Sequence, residues 1–347
     1  MIDHWTELLS PAGVQWQGGR VWNFGDPAAE RRALDGEAIL VPITDLSVWQ
    51  VSGADAPSFL QAQTTNDLVA LQPGHWQRSG YCNPKGRLLA TLLIAQTAPQ
   101  DFVALLPASL AEAVFARLSR YVLRAKVKLA VMPFAVLGLA GPKAAQKLTG
   151  AQFPCPAPGQ LASAKTGWVL GLSAERFLIL APAEALPAVW SELAAVSRPA
   201  GEPLWDALDI AAGLATVLPP TQEAFVPQML NFDLVAGLSY TKGCYPGQEI
   251  VARMHYLGRL KERLYRARAV GPQPNPGDKL FSPAFGDQAC GTVVLATPGE
   301  AAAAEFLAVL QIGAVTNGEV HLGAPDGPRL HFLPLPYAVP EAPVAST

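Results

Sequence analysis

Apolar residues recur at helical and at extended spacings in the first 258 residues of the chain. One helix is predicted from a capping box at Ser109 and Glu112 toward Leu123, with apolar residues four positions apart on one face. Further helices are predicted after Asp55, over 186–196, and from Pro203 to Gly213. Apolar runs predict strands at 88–95, 102–106, 126–139, 168–172 and 177–181. Because these elements mix without a regular βαβ alternation, the predicted fold class is α+β.

The pattern changes after residue 258. Short strand candidates lie at 260–270, 279–281, 291–296 and 306–312, and Gly, Pro, Asp and Asn turns separate them. Such spacing is typical of a small β-barrel or sandwich. The segment from Tyr337 to Thr347 holds prolines and small residues, so a flexible tail is predicted. The predicted division is therefore 1–258, 259–336 and 337–347.

Composition narrows the class of protein. Half of the 347 residues are hydrophobic and 15% are charged, so the chain can bury large cores. The net charge of −3 gives no general attraction to nucleic acid, and any anion site must be local. The N-terminus lacks the pattern of a signal peptide, and the apolar stretch 129–140 is broken by Pro133. We expect a cytoplasmic protein.

The cysteines show no C-x-x-C pair: they are Cys82, Cys155, Cys244 and Cys290. This spacing argues against a disulfide framework and against a self-contained zinc or cluster site. Cys244 stands out because it follows Lys242 by two residues, in a glycine-flanked turn before a short helical run. A neighbouring ammonium and a helix N-terminus both favour a thiolate, which makes Cys244 a candidate reactive thiol. The alternative is a small buried residue in a tight turn.

Basic residues form three local groups. Lys85 and Arg87 follow an Asn-Pro turn at the start of an apolar strand, where ordinary hairpin punctuation is the alternative interpretation. Arg117, Arg120 and Arg124 would share a helix face that continues to Lys126 and Lys128, either as a solvated surface or as an anion site. A further run consists of Lys261, Arg263, Arg266 and Arg268, which alternate along a predicted strand, and a solvent-facing strand surface explains it. No P-loop, dinucleotide fingerprint, RRM-type motif or metal-type histidine spacing is present.

Several blocks of the chain resemble one family. The run from Lys242 to Glu249, Lys-Gly-Cys-Tyr-Pro-Gly-Gln-Glu, looks like the signature of the YgfZ family of folate-binding proteins. That family is similar in fold to the glycine-cleavage T-protein. The blocks at 53–67, 82–87, 121–127 and 225–233 resemble the family in the same order, so the likeness covers roughly residues 40 to 265.

The resemblance implies a T-protein-like ring of two intertwined α+β subdomains with a C-terminal β-barrel, and a tetrahydrofolate bound near its centre. It also implies a role in assembling or repairing iron–sulfur clusters, through which tRNA-modifying enzymes are affected. Iron–sulfur proteins or cluster-assembly factors would be the partners. Lys242 and Cys244 would be the functional pair. The implied folate-binding and turn-shaping residues are Lys85, Arg87, Arg124, Tyr245, Gln248 and Glu249.

Two departures from the T-protein pattern matter. The strand after the Asn-Pro turn begins Leu88-Leu89-Ala90-Thr91 and lacks the aspartate that the T-protein carries there. Aminomethyl transfer needs an acid or base near the folate, so this activity is not expected. Asp209 stands where the family usually has an arginine. The alternative hypotheses are a folate-dependent one-carbon transferase and a module that binds tRNA directly.

Overall fold

The computed structural model describes residues 2–10, 13–256, 258, 260–299 and 302–340. The helices are α1 Ile2–Leu9, α2 Pro27–Gly36, α3 Ala56–Gln63, α4 Ala108–Ser119, α5 Ala144–Gly150, α6 Leu186–Ala194, α7 Glu202–Ala211, α8 Gln248–Tyr256 and α9 Ile312–Thr316. The strands of the first half are β1 Gln15–Gln17, β2 Arg20–Asn23, β3 Ile39–Ile43, β4 Leu46–Ser52, β5 His75–Cys82, β6 Leu88–Ala98, β7 Asp101–Pro107, β8 Lys128–Met132, β9 Phe134–Ala140 and β10 Leu161–Ser163. They are followed by β11 Trp168–Ser173, β12 Arg176–Pro182, β13 Arg198–Pro199, β14 Glu262–Val270, β15 Lys279–Phe281, β16 Ala289–Pro298, β17 Ala303–Gln311, β18 His321–Leu322 and β19 His331–Leu333.

The chain divides into two compact units. The first contains residues 1–59, 69–77 and 93–205, and the second contains 60–68, 78–92 and 206–347. The strands β5 and β6 each pass from one unit to the other. The predicted division at 258 and 336 stays a prediction, and residues 341–347 of the predicted tail lie outside the described residues.

The first unit is built on mixed layers of helix and sheet. A six-stranded sheet has the order β10-β11-β12-β9-β3-β13, and its pairs are antiparallel except for β3 with β13. All seven residues of β9 are buried, as expected for a central strand with apolar cover on both faces. A second sheet has the order β5-β6-β7-β4-β8. The α+β prediction is confirmed.

The second unit contains the C-terminal strands. They form a curled six-stranded sheet in the order β18-β15-β16-β17-β14-β19, which corresponds to the predicted barrel. Its core contains Ala267, Leu280, Val293, Phe306 and Leu310, all fully buried. Within the described ranges, no helix is long and apolar enough to cross a membrane.

The largest local difference from prediction concerns α4. The helix begins at Ala108 after Pro107, without a side-chain cap, and it ends at Ser119 rather than near Leu123. Arg124 therefore lies in a series of turns and not on a helix face. The backbone N–H of Lys126 donates to Asp55 Oδ2 over 2.7 Å. This tertiary contact draws the chain away from the helical path that the local pattern favours.

Candidate functional site

The loop that carries Cys244 leads directly into α8. Cys244 is exposed and lies four residues before the helix begins at Gln248. Cys155 is the other exposed cysteine, whereas Cys82 and Cys290 are buried. Burial raises the pKa of the Cys82 thiol well above its ordinary value. The arrangement therefore presents the Cys244 sulfur to solvent and keeps the Cys82 sulfur protonated.

Lys242 points into the protein, although it is only two residues from Cys244. Its side chain is 7% exposed, and its Nζ donates to the carbonyl oxygens of Gln61, Thr64 and Asn66 over 2.6, 2.5 and 2.9 Å. An ammonium has three N–H donors, so these carbonyls use all of them. Burial lowers the pKa of Lys242 to about 8, and the charge of Asp67 acts in the opposite direction. In the structure Lys242 fastens the cysteine loop to these carbonyls, and the predicted effect of its charge on the Cys244 thiol stays a prediction.

Tyr245 completes this attachment on the other side of Cys244. Its ring is buried, and Lys242 Nζ lies 5.1 Å from the ring centroid, within the range of a cation–π contact. Burial, with a contribution from nearby Cys82, raises the pKa of the Tyr245 hydroxyl. Cys244 is thus flanked by two anchored residues while its own side chain is exposed.

The turn that holds Lys85 and Arg87 packs against the start of α8. Asn83 Oδ1 accepts from the backbone N–H groups of Lys85 and Arg87 over 2.9 and 3.0 Å, which closes the turn. A Cβ on Gly247 would lie only 2.4 Å from Gly86 Cα, and Gly247 has a φ of +81°. The two glycines therefore allow the turn and the helix to touch.

Lys85 and Arg87 are both exposed at this turn. Nη1 of Arg87 donates to the carbonyl oxygen of Ala224, which limits how far the guanidinium can move. Gln248 is half-buried, and its Nε2 donates to the carbonyl oxygen of Lys242 over 3.4 Å. Glu249 is exposed in the first turn of α8, where the helix dipole favours a negative charge. The second unit thus brings the basic turn, the cysteine loop and the start of α8 together.

Two further contacts hold α8. Gln228 Nε2 donates to the carbonyl oxygen of Val251 over 2.7 Å. At the other end of the helix, the rings of Tyr240 and His255 stack at a centroid distance of 3.7 Å, and Tyr256 packs edge-on against His255 at 4.6 Å. Burial and the charge of Asp233 raise the pKa of Tyr240 to about 12. Both ends of the helix are therefore fixed to the chain segments that precede it.

A nearly buried ion pair holds the backbone of Gln228 in place. Arg263 and Asp233 form a bidentate pair, with Nη1 to Oδ1 at 2.6 Å and Nη2 to Oδ2 at 2.9 Å, and both side chains are nearly buried. Arg263 Nη1 also donates to the carbonyl oxygen of Gln228 over 2.9 Å. The alternating pattern indicated a solvent-facing strand surface for Arg263, and that interpretation is wrong, because Arg263 is 7% exposed.

Arg124 belongs to the first unit, where it is exposed, and its predicted folate contact stays a prediction. The strand positions from Leu88 to Thr91 are buried and contain no carboxylate. Across the part of the chain that the structure describes, no cluster of three His, Cys, Asp or Glu side chains could hold a metal ion. The carbonyl partners of Lys242 could not be predicted, since main-chain acceptors 176 to 181 residues away leave no signal in the sequence.

Comparison with known proteins places these features in a family. The GCVT N-terminal domain family matches residues 12–154. The glycine cleavage system aminomethyltransferase T from Bartonella henselae has the same fold, with a TM-score of 0.80, 19% identity and 95% of each chain covered. The T-protein-like fold is thereby confirmed.

Curated relatives match over nearly their whole length. The chain is 30% identical to "tRNA-modifying protein YgfZ" of Edwardsiella ictaluri over 327 residues, which covers 91% of this chain and 98% of the relative. It is 29% identical to the protein of the same name from Cronobacter sakazakii, covering 91% and 97%. The sequence blocks, the fold and these full-length matches agree, and the chain belongs to the YgfZ family.

Proposed function

We propose that this chain binds a reduced folate and supports the assembly or repair of iron–sulfur clusters, and through them the enzymes that modify tRNA. One observation carries the proposal: an exposed thiol at Cys244 stands on a loop that a buried ammonium fastens to three carbonyls. The relatives are named tRNA-modifying proteins, and these names support the part of the proposal that concerns tRNA modification.

Cys244 would act as a single thiolate ligand. A cluster in transit binds the Cys244 sulfur as one thiolate of the delivering partner leaves, and the thiol proton passes to solvent, so no electron is transferred. One cysteine cannot hold a cluster alone, and a partner protein or a small thiol must supply the other ligands. Lys242 is a positioning residue in this scheme, because its donors are used within the protein.

The donor set near Cys244 fits a folate in part. Lys85 and Arg87 offer exposed cations for the carboxylates of the glutamate tail. Gln63 Oε1 is buried and accepts no hydrogen bond within the described ranges, which leaves an acceptor for a pteridine N–H group. A reduced folate, when bound, would act as a carrier of one-carbon groups. Tyr245, Gln248 and Glu249 would shape the loop beside it.

Two experiments on the purified chain test folate binding and cluster binding separately. The first measures tetrahydrofolate binding by calorimetry for the native chain, Cys244→Ala and the double variant Lys85→Gln/Arg87→Gln. We expect the cysteine variant to bind like the native chain. The double variant should bind about 100-fold more weakly, since it loses two charge-assisted bonds of about 1.5 kcal/mol each. Equal binding by all three chains would show that Lys85 and Arg87 do not contact the folate. If the native chain does not bind tetrahydrofolate, the folate half of the proposal is wrong.

The second experiment reconstitutes a cluster on the chain with glutathione as the auxiliary thiol, and it measures the iron and sulfide that the chain retains. Native chain and Cys155→Ala should retain a cluster, whereas Cys244→Ala should not. Cys155→Ala is the matched control because Cys155 is also exposed and carries the same group. Equal retention by Cys244→Ala would show that the cluster binds elsewhere.

A further inference from the structure

One stretch of the first unit concentrates positive charge on a chain with a net charge of −3. No Asp or Glu lies between Glu112 and Glu175, whereas eight Lys or Arg residues do. Five of them fall within residues 117–128, which we call the basic segment: Arg117, Arg120, Arg124, Lys126 and Lys128. The rest of the chain carries the balancing acids, so the segment is a local source of positive potential.

Most cations of the basic segment are at the surface. Arg117 lies beside the buried stripe of α4, because it follows Leu110 by seven residues and Val114 by three, and it is therefore only partly accessible. Arg117 is half-buried, and the other four cations are exposed. Among the residues that the structure describes, none of the five forms an ion pair with a carboxylate. Their charge is therefore available to a ligand.

The backbone of the segment is fixed. Lys126 N donates to Asp55 Oδ2 over 2.7 Å, and Asp55 N donates back to the carbonyl oxygen of Lys126 over 3.3 Å. A Cβ on Gly53 would lie 2.1 Å from that same carbonyl oxygen, so the two strands of chain approach as closely as glycine permits. A ligand would meet a preorganised array of charges rather than a flexible tail.

Apolar side chains stand among the cations. Tyr121 is 47% exposed, between Arg120 and Arg124 in sequence, and Leu123 is 87% exposed with a φ of +41°. A left-handed conformation is costly for leucine, and here it turns the side chain out of the fold. The segment thus combines unpaired cations with an accessible aromatic ring, the two features by which proteins hold single-stranded nucleic acid.

We propose that the basic segment binds single-stranded or looped RNA, with phosphates at the five cations and one base stacked on Tyr121. An acidic protein is the less suitable partner, because a stable protein interface needs a broad patch depleted of charge at its centre, whereas Tyr121 and Leu123 are single apolar side chains among five cations. The RNA site lies in the first unit and does not depend on the thiol chemistry of Cys244.

Fluorescence anisotropy with a labelled single-stranded RNA of about 12 nucleotides tests the proposal on the full chain. Five phosphate contacts predict a logarithmic salt slope of about −3.5, so affinity should fall about 100-fold between roughly 50 and 200 mM salt. In Arg120→Gln/Lys128→Gln the slope should be about −2 and the fall about 20-fold. Tyr121→Ala should bind about tenfold more weakly at every salt concentration, since stacking involves no counterions.

The double variant Lys165→Gln/Arg198→Gln is the matched control, because it removes two exposed cations of the same unit outside the basic segment. It should keep the native slope. Equal slopes for the two double variants, or no binding by the native chain at low salt, would overturn the proposal. Complete competition by polyglutamate at equal charge would also overturn it, since that result indicates a general polyanion surface. Tetrahydrofolate binding should be unchanged in all of these variants, and this separates a failure here from a failure of the folate site.

Discussion

The Nζ atom of Lys242 lies 2.5 Å from the carbonyl oxygen of Thr64, one residue beyond the end of α3. The carbonyls of a last helical turn lack intrahelical donors and carry partial negative charge, so a cation is favourable there. Lys242 satisfies Gln61 and Asn66 in the same region. A lysine from the cysteine loop thus caps a helix that lies about 180 residues earlier in the sequence.

Replacing Lys242 by methionine should destabilise the chain by about 2–4 kcal/mol. Methionine keeps much of the apolar stem but leaves three carbonyls in a buried region without their donor. The free energy of unfolding in urea measures this loss. The rate at which a disulfide reagent modifies Cys244 should change in the same variant, because the loop loses its attachment. An unchanged stability would contradict the capping role.

Gly247→Ala should destabilise the second unit by about 3 kcal/mol. The new Cβ would meet the backbone of Gly86, and the position has a φ of +81° that alanine adopts poorly. Gly243→Ala is the matched control in the same loop, because nothing lies within 4 Å of its Cβ and its φ is not positive. It should change the free energy of unfolding by less than about 1 kcal/mol. Equal effects would show that the contact between turn and helix is unimportant.

Asp233→Ala should cost about 3–5 kcal/mol of stability, since it strands the nearly buried guanidinium of Arg263. The pair Arg266–Glu305 offers a comparison, with 21% and 31% of the side chains exposed. Glu305→Ala should cost about 1 kcal/mol or less. Chemical unfolding measures the free energy of unfolding of both variants. If Asp233→Ala loses no more stability than Glu305→Ala, the supporting role of the Arg263–Asp233 pair is contradicted.

Stability should also depend on Glu202, which is fully buried in the first unit. Burial raises the pKa of Glu202 to about 7 and Asp45 adds to the rise, whereas Arg20 and the hydrogen bonds from Thr44 and Val21 oppose it. The folded chain therefore holds a proton that the unfolded chain releases near the ordinary value of 4.5. This stabilisation is complete below that value and is lost as the pH rises through about 7.

Glu202→Gln cannot titrate, so it serves as the reference for this effect. The free energy of unfolding of the native chain minus that of the variant should fall by about 3 kcal/mol between about pH 4 and 8. Thermal or urea unfolding at a series of pH values gives the difference directly. A difference that stays constant would show that folding does not shift the pKa of Glu202, and a difference that rises with pH would show that folding lowers it.

The sequence predicted the parts of the fold whose signals are local. The helix α7 ends two residues before Gly213 as expected, β15 has the predicted bounds, and α8 follows the cysteine loop. The end of α4 was mispredicted, because the contact between Lys126 and Asp55 spans 71 residues and overrides the helical pattern.

Candidate residues could be selected from the sequence where their own chemistry marks them. The structure shows Cys244, Lys85 and Arg87 exposed. Their roles stay predictions, but all three were identified as candidates from the sequence. The inward direction of Lys242 was not, because its partners are main-chain oxygens that any residue could supply. The burial of Arg263 was missed for a related reason: alternation along a strand does not reveal what covers a given face.

The most direct test of the proposed role of Cys244 is rescue of a strain that lacks the protein. The measurement is the fraction of tRNA that carries nucleosides made by cluster-dependent enzymes, with expression of each variant verified. The native chain and Cys155→Ala should restore this fraction, and Cys244→Ala should leave it at the level of the empty strain. Full restoration by Cys244→Ala would contradict the account.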